Sequence, residues 1–221
     1  MVLFVLIVYF ALISTKKAEQ NKVWVGLSKE TAHQLGTPIS SLMAWMDLLE
    51  SSGVDPSLLS DMNKDVNRLS VIAERFSKIG SKPEMELIYV NEVLENATEY
   101  MRRRVSDKVL ITTHLPSDAE GAMVCLSLFE WVIENLCKNA VDAMNGEGRI
   151  DVYMTSEKQQ IYIDIKDTGK GIARKNFKTV FNPGYTTKKR GWGLGLTLAK
   201  RIIEYYHPDR SVIQSGPVAF C

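Results

Sequence analysis

Charge of one sign is missing from this 221-residue sequence: 27 Lys and Arg stand against 26 Asp and Glu, for a formal charge of +1. Without a basic excess the chain has no electrostatic footprint for a phosphate backbone, which argues against nucleic acid as a partner. Cysteine is scarce too. Cys125, Cys137 and Cys221 show none of the paired spacings of a zinc site or a disulfide framework, and this fits a reducing compartment. Long apolar runs are also rare, and the exception is residues 2–13, VLFVLIVYFALI, followed by Ser14-Thr15-Lys16-Lys17. As a helix that run would rise roughly 18 Å, short of a hydrocarbon core of roughly 30 Å. A buried core helix or a signal-peptide segment is the plain alternative. A signal peptide, however, would carry positive charge ahead of the run and small residues at a cleavage site. Residues 1–15 are therefore expected to be a short or truncated membrane helix. The lysine pair after it would place the rest of the chain on the cytoplasmic side of the inner membrane.

What is present is ordinary globular composition, 45% hydrophobic and 24% charged, enough for one domain and a smaller partner. After Trp24 the apolar positions Ala32, Leu35, Ile39, Leu42, Met46 and Leu49 step alternately by three and four, the pattern of a helix packing along a narrow seam. Turn chemistry from Ser51 to Pro56 interrupts it. The rhythm resumes at Leu59, Met62, Val66, Leu69, Ala73 and Phe76, and Gly80, Ser81 and Pro83 end it. Residues 16–82 thus read as an antiparallel helical hairpin, and two such hairpins would close into a dimeric four-helix bundle. His33 points away from the apolar stripe, with Thr37 one turn later on the same face. Pro38 follows, although an interior proline costs about 3 kcal/mol in a helix. A solvated surface histidine is the bland reading. The chemical one is a neutral imidazole whose nitrogen accepts a phosphoryl group.

From residue 83 onward the pattern becomes mixed α/β. Strands are expected at 85–90, 109–115, 149–155 and 160–166, and helices at 91–105, 126–144 and 193–206. Three features of this half converge on a nucleotide. Asn135, Asn139 and Asp142 fall at i, i+4 and i+7 of one helix, a modest Mg²⁺ site or else a solvated face. Asp167-Thr168-Gly169-Lys170-Gly171 follows a strand: its carboxylate can accept a hydrogen bond from an exocyclic amine such as that of adenine, and Gly169 and Gly171 allow close backbone approach or unusual dihedrals. Gly191-Trp192-Gly193-Leu194-Gly195 opens a helix, where free N–H groups and the helix dipole suit phosphate. Thr186, Thr187 and Lys188 upstream supply hydroxyls and a cation. A dinucleotide fingerprint fails because its third glycine would fall on Leu196. The glycines therefore suit a mononucleotide under a mobile lid.

On these residues the chain resembles bacterial sensor histidine kinases from about Trp24 onward. Residues 29–38, KETAHQLGTP, look like the family's phosphoacceptor box with His33 as the acceptor. Residues 134–140, ENLCKNA, look like its asparagine box; 167–171 and 191–195 are similar to its two glycine boxes, and 177–181 to its phenylalanine box. The resemblance implies an α+β chain. Its helical hairpin would form the dimeric bundle, and a two-layer α/β sandwich at 83–221, shared with gyrase-type ATPases, would bind ATP. It implies that Asn139 ligands Mg²⁺ beside Asn135, that Asp167 holds the adenine amine, and that Lys188 with Gly193, Leu194 and Gly195 cradles the triphosphate. His33 would then attack the γ-phosphoryl group, and the phosphoryl group would pass to an aspartate of a response regulator receiver domain. Thr37 matches the position associated with returning phosphate to water. Many members carry a carboxylate after the histidine; here Gln34 stands there and cannot take up a proton. The family also continues through a closing strand pair where this sequence stops at Phe220-Cys221, so an open sheet edge is expected. The competing readings are a serine kinase or plain ATPase on the same nucleotide fold, and a nucleotide-binding dimeric scaffold or phosphatase without efficient kinase activity.

Overall fold

A computed structural model describes residues 1–81, 83–118, 120–157, 160–188 and 193–206. The chain divides into two compact units, Met1–Pro83 and Glu84–Cys221.

The first unit is a pair of helices, α1 (Val2–Ser51) and α2 (Pro56–Gly80). Gly53 turns the chain at φ +77°, a left-handed conformation that only glycine adopts without strain. Asp55 then caps α2, its carboxylate accepting the Ser57 N–H at 2.9 Å with Pro56 at the first helical position. That hydrogen bond holds the Asp55 carboxyl below its ordinary pKa. The alternating seam splits in two. Ile39 and Met46 of α1 pack with Val66 and Ala73 of α2 in a buried cluster, with Leu35 at its edge. The intervening Leu42, Leu49, Met62 and Leu69 stay 38–47% exposed in the single chain. Helix α1 runs unbroken through residues 15–16 and through Pro38. No helix of the described residues is long and apolar enough to cross a membrane. Residues 2–15 are the leading end of α1, so the structure lends the expected anchor no support.

The second unit is built from β1 (Glu86–Tyr89), α3 (Val90–Arg102), β2 (Val109–His114), β3 (Gly121–Val124), α4 (Leu126–Ala143), β4 (Gly148–Glu157), β5 (Gln160–Asp167) and α5 (Gly195–Tyr206), with 3-10 turns at Arg174–Asn176 and Thr179–Phe181. β2, β4 and β5 form one sheet in that order. β2 and β4 run parallel (Ile111 opposite Ile150), and β4 and β5 antiparallel (Val152 opposite Ile165). β1 and β3 pair separately, antiparallel, with Glu86 opposite Val124. One face of β4 is apolar by strict alternation, and its Ile150, Val152 and Met154 are buried with Leu94 of α3, Leu128, Ile133 and Cys137 of α4 and Ile202 of α5. Burial, with Glu134 nearby, pushes the Cys137 thiol up to about 12, so this cysteine is an inert packing residue.

β3 is the element that the expected pattern lacks. Its four residues, GAMV, carry a glycine and one β-branched side chain, too short a run to alternate, and its pairing with β1 is what makes it a strand. α3 begins at Val90 and α5 at Gly195, against expected starts at 91 and 193. The expected open edge after residue 210 lies outside the described residues.

Candidate functional site

Helix α4 supplies the floor of the site. Leu128, Val132, Ile133, Leu136 and Cys137 face the core, which turns Asn135, Asn139 and Asp142 to the other side. Two chain segments close on that polar stripe. The first follows β5, where Asp167 Oδ1 accepts the Gly169 N–H at 2.8 Å. The other Asp167 oxygen has no protein partner among the described residues, so it is free to accept from a ligand. Gly169 lies against the last turn of α4: a Cβ there would sit 2.8 Å from the Ala143 carbonyl carbon and 2.7 Å from Asp167 Oδ1. The next N–H, of Lys170, reaches the Ala143 oxygen at 3.3 Å. Gly171 does different work, turning at φ +65° in open space. Close approach thus belongs to Gly169 and the unusual dihedral to Gly171.

The second segment comes from the turn before α5. Lys188 Nζ donates to Asn139 Oδ1 at 2.9 Å and pairs with Asp142 Oδ2 at 2.6 Å, spanning more than forty residues of sequence. Its own N–H donates to Thr186 Oγ1 at 3.1 Å, and Thr187 beside it is exposed. Gly193 adopts φ +64° where a Cβ would strike the Gly184 carbonyl carbon at 2.5 Å, and its oxygen accepts the Gly184 N–H at 3.1 Å. Half-buried Leu194 leads into α5, its carbonyl taking the first helical bond from Leu198. Gly195 opens the helix directly over α4, and a Cβ there would lie 2.5 Å from Asn135 Oδ1. Asn135 Nδ2 is buried without a hydrogen-bond partner among the described residues. Gly191 lies outside the described residues.

The structure therefore brings Asn135, Asn139, Asp142, Lys188 and Gly195 together on one face of α4, with Gly193 and Leu194 leading into Gly195, and Asp167 and Gly169 to its C-terminal turn. The donor set suits a polyanion with its cation. Two oxygens, one amide and one carboxylate, already hold a positive group, a buried amide N–H has no acceptor among the described residues, and a helix start such as that of α5 leaves its first N–H groups without helical partners in a gap only glycine leaves open. Sequence reasoning passed over Ala143, whose small side chain admits Gly169. It also passed over Thr197 and Lys200, which hold the 3-10 turn at Thr179–Phe181 against α5: Thr197 Oγ1 donates to the Phe181 oxygen at 3.0 Å and Lys200 Nζ sits 5.0 Å from the Phe181 ring centre. Their signal was spacing, i+2 and i+5 from Gly195 on one helix.

His33 belongs to the first unit. It is exposed on α1 with Thr37 exposed one turn on, and both line an open groove with Lys29, Glu30, Ser70 and Glu74. Gln34 Nε2 is tied to Glu30 Oε1 at 2.7 Å.

Residues 126–217 match the family of histidine kinase-, DNA gyrase B-, and HSP90-like ATPases, the class of nucleotide-binding fold that the second unit defines. In sequence the chain is similar to sensor histidine kinases. It is 26% identical to sporulation kinase D of Bacillus subtilis over 93% of this chain and 43% of the relative. It is 27% identical to the signal transduction histidine-protein kinase AtoS of Escherichia coli over 80% of this chain and 30% of the relative. The chain thus spans less than half the length of these curated relatives. In fold it is similar to the catalytic domain of histidine kinase ThkA, with a TM-score of 0.54 at 22% identity over 62% of this chain and 92% of that one. It is also similar to full-length ShkA in complex with AMPPNP, with a TM-score of 0.62 at 15% identity over 89% of this chain and 46% of that one.

Proposed function

We propose that this chain is the kinase module of a two-component sensor, an ATP:protein-histidine phosphotransferase that phosphorylates His33 and passes the group to an aspartate of a response regulator receiver domain. The observation that carries this reading is the convergence of Lys188 and Gly195 on the Asn135–Asn139–Asp142 stripe, together with an imidazole left exposed on a separate helical hairpin. Asn139 would hold Mg²⁺, which when bound offsets the negative charge of the phosphates. Asp167 would accept the adenine amine through its free oxygen, the start of α5 and Asn135 Nδ2 would donate to phosphate, and Lys188 would add a cation. A ring nitrogen of His33 forms the new N–P bond, the bond from the γ-phosphorus to the β-phosphate oxygen breaks, and ADP leaves. The imidazole proton is released to solvent or to the Glu30 carboxylate in the same groove, since Gln34 cannot accept it.

A second reading is favoured by one contact. Gln34, engaged by Glu30, stands where a carboxylate would directly follow His33 in sequence, while Thr37 stays exposed a turn away. This combination suits a module that works chiefly as a phosphatase of its partner. Dimerisation is supported by the open half of the heptad seam, Leu42, Leu49, Met62 and Leu69, which a second hairpin would cover. Placement at the inner membrane with the module in the cytoplasm rests on the run at residues 2–13 and Lys16-Lys17 alone.

The test is incubation with γ-labelled ATP. The expected product is an acid-labile, base-stable phosphate on the chain that is lost in His33→Gln. Label surviving that substitution, or an acid-stable product, would overturn the kinase reading.

A further inference from the structure

Lys188 and a divalent metal ion want the same oxygen, that of the Asn139 amide. The ammonium sits 2.9 Å from Asn139 Oδ1 and 2.6 Å from Asp142 Oδ2, and it offers only donors. A hard cation held by Asn139 would take its Oδ1 directly, and that oxygen cannot serve both at full strength. The lysine is also tied to its own segment. Its N–H is bonded to Thr186 Oγ1, and Tyr185 N–H to the Asn182 oxygen, so while the ammonium stays on α4 it tethers this turn to the helix.

We propose that in the nucleotide-free protein Lys188 is a resident counter-ion that latches the segment before the second glycine loop onto α4, and that the metal-bearing nucleotide binds by displacing it. This rests on the nucleotide-binding reading above and adds an internal competitor to it. Asp142 is then a positioning residue that acts through Lys188: it holds the ammonium over Asn139 until the ion arrives. Released, the same ammonium becomes available to the phosphates, so one side chain serves both states. Both partners of the pair are about 40% exposed, so the latch is a partly solvated ion pair and its effect on binding is severalfold rather than a block.

Two measurements on the full chain test this. In the nucleotide-free protein, Lys188 acetylation by an amine reagent is followed by mass spectrometry, with exposed Lys175 as internal reference. Asp142→Asn is expected to raise the Lys188 rate about threefold, as loss of an exposed ion pair allows; equal rates overturn the latch. Magnesium-ADP affinity is then measured by calorimetry in wild type, Asp142→Asn, Lys188→Met and the double variant. Asp142→Asn is expected to tighten binding about three- to fivefold when Lys188 is present and to have almost no effect when it is Met. The same gain in both backgrounds means that Asp142 merely repels phosphate, and it overturns the proposal. A wild-type chain that binds no nucleotide would bring down the underlying reading of the site, whereas the acetylation rates decide the latch without any nucleotide.

Discussion

In the hairpin, burial recurs every seven residues: Ile39 and Met46 on α1, and Leu59, Val66 and Ala73 on α2. In the second unit it comes from several elements at once, with Leu94, Leu128, Ile133, Ile150, Val152 and Ile202 each fully closed off from water. One region has finished its core within a single chain and the other has buried half a seam. The functional groups divide the same way. The hairpin presents its candidate residue, His33, on an open surface, where a nucleophile needs access. The sandwich assembles its candidate site from contacts that only closely packed backbone can make, such as Gly169 on Ala143 and Gly195 on Asn135. A complete core gives a rigid pocket, whereas an incomplete one leaves a surface for another protein.

The comparison breaks most visibly if the two cores respond alike to truncation. Leu128 is fully buried, and Leu128→Ala is expected to lower the unfolding free energy of the second unit by about 2–5 kcal/mol, with no dependence on protein concentration. Urea unfolding at two concentrations checks this. In the hairpin, Leu69 is 41% exposed in the single chain. Leu69→Ala is expected instead to weaken self-association about tenfold, because the surface it loses is buried only against a second copy. Sedimentation equilibrium reads that shift. Unchanged association together with a concentration-independent loss of stability would mean that the hairpin is complete as a monomer.

Much of this division was legible in the sequence. The three-four alternation announced two paired helices, but which half of the seam faces the sister helix depends on how α1 and α2 are rotated about their axes. Periodicity alone does not carry that rotation. In the second unit, strong alternation revealed β4 and β5, whereas β3 is a strand only because β1 lies beside it. Asn135, Asn139 and Asp142 could be placed on one helix face from spacing. That Lys188 would reach across to two of them could not, since the contact joins segments more than forty residues apart and depends on how they pack. Local chemistry is written locally, and the pairing of distant segments depends on tertiary packing.

The smallest expected effect sharpens the comparison at the surface of the second unit, where α3 meets β2. Thr113 Oγ1 donates to Glu95 Oε2 at 2.7 Å, and Arg102 pairs with the other carboxylate oxygen at 3.1 Å. The Thr113 hydrogen bond, and after it Arg102, hold the Glu95 carboxyl below its ordinary value of 4.5. A depressed folded-state pKa means that the unfolded chain binds the proton first. The contribution is therefore complete above pH 4.5 and drains away as pH falls through the folded value. Glu95 is half exposed, so solvent screening keeps the gain small. Thr113→Val is expected to cost less than about 1 kcal/mol at neutral pH. The two proteins should converge in stability as the pH drops below 4.5, because a protonated Glu95 no longer offers Thr113 a charged acceptor. Thermal unfolding of both across that window is the measurement. A gap that persists undiminished in acid would assign the effect of Thr113 to packing on β2 rather than to the carboxylate.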